Sequence, residues 1–166
     1  MAYVDYAYYQ SIYGEESLDE TTFKRLCWEA SRKVDNITSG VDGVKKLKVA
    51  FPTEEEAAEI VKRCVCKLIE IVHGIENARK NISKAQEFVT REDGNLQGKV
   101  VASVSAGNES ISFTSNTSIK TVVDKAVGDA EVERQLYIDT VREYLNGVQD
   151  ANGVNLLYMG PYPYSL

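Results

Sequence analysis

Three cysteines, one histidine and a short lysine run are the side chains in this sequence best suited to ligate a metal, act as a nucleophile or hold a phosphate. Cys64 and Cys66 form a C-x-C, with Cys27 and His73 as conceivable further ligands. All of them fall in stretches with helical periodicity, and on a helix residues two apart point about 200° from each other. Cys64 and Cys66 therefore cannot grip one ion while the helix is intact, and buried structural thiols are the better reading. His73 is the single histidine, and no serine or cysteine stands at a diagnostic spacing from it for a nucleophile and base pair. There is no Walker loop, dinucleotide fingerprint or EF-hand. No catalytic residue, metal site or cofactor site is expected. Lys45, Lys46 and Lys48 read as a solvated face rather than a nucleic-acid contact.

The element that must carry the cysteines is the stretch from Pro52 to about Ile75. Thr53 and Glu56 form a capping box, and Glu54 and Glu55 add negative charge where a helix dipole is positive. Ala57, Ile60, Val61, Cys64, Val65, Leu68, Ile69, Val72 and Ile75 then recur at spacings of three and four. This wide apolar arc predicts a central helix covered by other helices, with helical periodicity continuing to about Arg91 past a break or kink near Gly74 or Asn81. Asp5 to Gly14 predicts a short helix carrying Tyr6, Tyr9 and Tyr13 on one face. Leu18 to Gly40 predicts a second long helix along Phe23, Leu26, Cys27, Ala30, Val34 and Ile37, capped by Asp19 or by Ser17 with Glu20. Asp129 to Leu145 predicts a third, and Thr117 to Gly128 is more weakly marked. Alternation around Ala106-Gly107-Asn108, with Val104 on one side and Ile111 and Phe113 on the other, predicts a β-hairpin within 99–114. The fold class is mainly α: a bundle around one long central helix, with a small hairpin and an extended C-terminal tail. Residues 1–147 form the helical domain and 148–166 the tail.

Twenty-five acidic against nineteen basic residues give a net charge of -6, which disfavours a protein devoted to wrapping nucleic-acid phosphates. At 43% hydrophobic, 166 residues suffice for one core without disulfides or metal. The opening MAYVDYAYYQ lacks the pattern of a secretory leader, so the sequons at Asn36, Asn81, Asn108 and Asn116 are expected to stay unmodified. The tail carries Leu156, Leu157, Tyr158, Met159, Tyr162 and Tyr164 among Gly160, Pro161 and Pro163, without charge after Asp150. It is too short and too interrupted to span a membrane. Such a terminus either folds back on its domain or lies on a partner.

Several of these segments, in this order, resemble the small head-to-tail connector proteins of tailed bacteriophages and prophages. The resemblance rests on three tyrosines before Gly14, on Leu18-Asp19 leading to Phe23, Leu26, Ala30, Ser31, Asp35 and Thr38, on Ser103, Gly107, Ser110 and Phe113, and on Tyr144-Leu145 followed by Leu156-Leu157-Tyr158-Met159-Gly160. This chain carries extra residues between Leu145 and Leu156, a methionine at 159 where the family often has arginine, and a long polar stretch from Glu76 to Gln97. The resemblance implies a structural virion protein, assembled from the bacterial host cytoplasm as a dodecameric ring on the portal protein. It would join the DNA-filled head to the next stopper or tail-completion component. The tail residues Leu156, Leu157, Tyr158, Met159, Gly160 and Tyr162 would dock on the portal, and Val104, Gly107, Ile111 and Phe113 of the hairpin could pair between subunits. DNA would pass the acidic channel without specific binding, and no membrane is involved. The competing expectation is a cytosolic helical module that binds protein or nucleic acid through its tyrosine-rich N-terminus or Lys45 to Lys48.

Overall fold

The computed structural model describes residues 2–15, 17–87, 103–106, 109–112 and 122–164. In chain order the elements are α1 (Tyr6–Tyr13), α2 (Glu20–Thr38), α3 (Lys46–Val49), α4 (Glu55–Glu87), β1 (Ser103–Ala106), β2 (Glu109–Ser112), α5 (Val122–Gly128) and α6 (Ala130–Leu145). The protein is mainly α, with the long α4 at its centre.

Local chemistry sets the helix starts. Asp5 accepts from the Tyr8 amide, Asp19 from the Thr22 amide at 2.9 Å, and Asp129 from the amides of Glu131 and Val132. The choice at α2 thus falls to Asp19, while Ser17 donates to the Gly14 carbonyl instead. Helix α1 stops at Gly14, whose φ of 90° is readily open only to glycine. Helix α4 starts at Glu55, two residues beyond the expected cap at Thr53, and its 33 residues extend for about 50 Å.

The helix is unbroken at Gly74 and Asn81, and its expected end at Arg91 lies outside the described residues. A mid-helix glycine costs about 1 kcal/mol relative to alanine, and here Ile71, Val72 and Ile75 around Gly74 are all buried and hold the helix in place. Packing overrides the local signal. Cys64 and Cys66, on opposing sides of α4, are both fully buried in a helix against which α2, α5 and α6 all pack. The core is built from Leu26, Ala30 and Val34 of α2, Val61, Val65, Leu68 and Ile69 of α4, and Val141 and Leu145 of α6.

Helix α1 is fastened across the bundle by the polar tips of its tyrosines. The Tyr8 hydroxyl donates to Glu59 at 2.7 Å, that of Tyr9 donates to Glu70, and the Tyr9 ring lies against Phe23 with centroids 5.1 Å apart. Strands β1 and β2 pair antiparallel in the register Val104↔Ile111. This is the hairpin expected from the alternation; Gly107 and Phe113 lie outside the described residues. Among the described residues no helix is long and apolar enough to cross a membrane.

Candidate functional site

The C-terminal segment lies against the α2–α3 connection and is held there by a set of polar groups spread over the chain. Gly147 (φ 79°) and Gly153 (φ 76°) turn the backbone. Asp150 accepts the amides of Asn152 and Val154, both at 2.9 Å, and closes a tight turn. A bridge between Gln149 and Asn155 and a bond from the Leu156 amide to the Val148 carbonyl then send the chain back on itself.

Lys46, at the start of α3, is the centre of this arrangement. It is fully buried, and its Nζ donates to the carbonyl of Leu156 at 3.0 Å and to that of Tyr158. Burial lowers its pKa, opposed by the carboxylates of Asp150 and Asp42. Lys46 is therefore not on the solvated face predicted from sequence, whereas Lys48 is exposed as expected and Lys45 is half-buried. Lys45 donates to Asn36 and Ser39, and Lys48 pairs with buried Asp35 at 3.4 Å. Internal acceptors occupy all three cations, because the tail and the end of α2 present carbonyls and carboxylates that need donors.

Two further contacts fasten the tail. The Tyr162 amide donates to Asp42 at 2.6 Å, and its hydroxyl donates to Asp150 at 2.6 Å while accepting from Asn152. Burial, then the bond to Asp150, raises the Tyr162 pKa. The Val41 amide donates to the Met159 carbonyl at 2.9 Å, and Gly40 sits so close beneath Gly160 that a Cβ there would overlap the Gly160 carbonyl oxygen.

The six tail residues singled out from sequence divide into two sets. Leu156 and Tyr162 are buried in their own chain, and Leu157 is half-buried. Tyr158 and Met159 are 46% and 53% exposed. Gly160 gives Tyr158 room, since a Cβ at 160 would meet the Tyr158 ring and hydroxyl. Folding back and facing outward thus belong to different residues of one segment. Val104 and Ile111 are register partners within one chain's hairpin.

Beside the tail, a groove of about 480 Å³ runs between α2 and α6. Lys33, Arg134 and Arg142 line it together with apolar side chains that include Ile138, Leu157 and Met159. The residues singled out for chemistry lie elsewhere. Cys27, Cys64 and Cys66 are free and buried, and burial pushes the thiols of Cys64 and Cys66 up to about 12. Thiolate at neutral pH is then about a thousandfold scarcer than in an unfolded chain. His73 is bonded to Asn77 at 2.9 Å. Among the described residues no group of three His, Cys, Asp or Glu is placed to hold a metal ion.

Comparison with protein-family models, with curated proteins and with solved structures returns no match to this chain.

Acid should loosen the tail. The amides of Tyr162 and then Val44 hold the Asp42 carboxyl below its ordinary 3.8. A folded pKa below the unfolded one contributes stability that is present above the unfolded value and lost as pH falls through the folded value. Amide exchange at Tyr162, corrected for its intrinsic rate, is expected to accelerate below about pH 4 ahead of the core of α4. Equal loss of protection at both places would show that the Asp42 contact does not govern the tail.

Proposed function

We propose that this protein is a non-catalytic head-to-tail connector of a tailed bacteriophage, a ring-forming adaptor seated on the portal by its C-terminal segment. The observation that carries the reading is the exposure of Tyr158 and Met159 on a segment whose backbone is anchored by buried Lys46. Ordered aromatic and thioether side chains held out from a rigid anchor suit a docking surface, because little conformational entropy remains to be lost on binding. The motif resemblance runs through Leu156, Leu157, Tyr158 and Gly160 and departs from the family at Met159. Inactive thiols and a net charge of -6 accord with a structural subunit around a channel that DNA must traverse without sticking. Internal pairing of Lys45, Lys46 and Lys48 argues against the nucleic-acid branch of the competing reading.

The test is mass measurement of the purified protein, alone and with portal rings of candidate phages, by light scattering or native mass spectrometry. Stoichiometric addition to a portal is expected, together with its loss when Tyr158→Ser and Met159→Ser are combined. The Tyr158 ring also lies 5.7 Å from Lys46 Nζ, so Met159→Ser alone, which leaves that contact in place, is the control that separates lost docking from a loosened segment. Failure of the wild type to join any portal would overturn the reading, and undiminished addition of the double variant would remove the tail from it.

A further inference from the structure

A closed ring of identical subunits needs two different, complementary surfaces on each chain, since every copy meets one neighbour with one face and the other neighbour with another. With a charge of -6 on every copy, long-range repulsion opposes assembly, and the contact must be locally opposite in sign. The described residues include a surface of each sign.

The cationic surface is the groove between α2 and α6, where all the charged residues in the lining are basic: Lys33, Arg134 and Arg142. Lys33 lies 4.1 Å from the Tyr137 ring centre and 3.3 Å from Glu29, and Arg134 pairs with Glu131 one turn away. Arg142 is exposed and makes no ion pair or hydrogen bond with any described residue. The acidic surface is the first turn of α4 and the residue before it. Glu54, Glu55 and Glu56 are all exposed and have no cationic partner among the described residues.

We infer that the α2–α6 groove is the subunit interface of the ring, and that it receives the glutamates at the start of α4 from a second copy of this chain. The inference rests on the ring-forming reading above. Ile37, Ile138 and Leu157 give the groove an apolar lining, so the contact joins apolar burial to the pairing of Arg142 and Arg134 with the neighbour's glutamates.

A charge swap tests it. One variant carries Arg134→Glu with Arg142→Glu, the other Glu55→Lys with Glu56→Lys; all four positions are exposed, and because lysine in the first turn of α4 opposes the helix dipole, circular dichroism first checks that both keep the wild-type helix content. Self-association of the full chain is read by native mass spectrometry, free and on portal rings. Each variant alone is expected to self-associate roughly tenfold or more weakly than wild type. An equimolar mixture should restore assembly, because the reversed groove then meets the reversed ridge. A carbodiimide cross-link between Lys33 and Glu54, Glu55 or Glu56 of another copy should form in wild type and vanish in both variants. Wild-type assembly that neither variant disturbs would overturn the interface while leaving the ring intact. Portal addition lost by the groove variant and not regained in the mixture would assign the groove to the portal and overturn it equally. Tyr158 and Met159 are unaltered throughout, so failure of every form, wild type included, to join a portal counts against the connector reading itself.

Discussion

Replacing Lys46 by methionine is expected to cost about 2–4 kcal/mol and to free the C-terminal segment before the bundle unfolds. Methionine retains most of the packing volume but none of the donors. The carbonyl of Leu156 would be left in a buried place without a partner, at about 1–3 kcal/mol, and the part-buried carbonyl of Tyr158 would lose its donor at a smaller cost. Asp150, itself buried, would lose the cation opposing its charge. Limited proteolysis should then cut within 150–164 in the variant and spare the wild type, while the helical signal persists at room temperature. Protection of the segment in the Lys46→Met protein would show that apolar contacts at Leu156 suffice. Deprotonating Lys46 is not equivalent to removing it. Its folded pKa lies below the ordinary 10.5, so raising the pH between those two values favours the folded state, and a neutral amine still donates. Loss at high pH should come instead from Tyr162, whose raised pKa gives a contribution that declines above about pH 10.

Lys46 also shows where sequence reading stops. The helix starts at Asp5, Asp19 and Asp129 and the helix end at Gly14 were legible because a cap and its amides lie within three or four residues of one another. The apolar stripes of α2 and α4 were legible because a period of 3.6 survives whatever the partner is. The pairing of Lys46 with the Leu156 carbonyl spans 110 residues and leaves no periodic trace. A lysine within a lysine run is on composition alone a surface residue. A faint signal existed: the tail is uncharged beyond Asp150 and broken by Pro161 and Pro163, so its carbonyls cannot be satisfied by regular structure and require donors from elsewhere. Gly40 was legible only in part. It follows the end of α2, as a stop signal should, yet its φ is not in the left-handed region, unlike that of Gly43 at 73°. Its lack of a side chain serves the approach of Gly160, which no local pattern reports.

That distinction makes Gly40→Ala a clean probe of the tail. Because φ at residue 40 is open to any amino acid, the substitution imposes no backbone strain on the α2–α3 connection. The added methyl instead overlaps a backbone oxygen, that of Gly160, which cannot swing aside as a long side chain would. The segment must lift, breaking the bond from Val41 to Met159 and loosening that from Tyr162 to Asp42, at about 1–3 kcal/mol as for other overpacked contacts. Leu26, Leu68 and Val141 are in a different part of the molecule, so the thermal unfolding of the bundle should hardly move. Amide exchange at Val41 and Tyr162 should rise sharply, and unchanged protection there would mean that the connection yields rather than the tail. If portal docking depends on Tyr158 and Met159 being held in place, the same variant should bind portal rings roughly tenfold more weakly despite an intact docking sequence, since the segment must then be ordered at the moment of binding. Full affinity with a lifted tail would mean that the portal recognises the segment as a free strand, and that the anchoring by Lys46 serves the stability of the unassembled subunit alone.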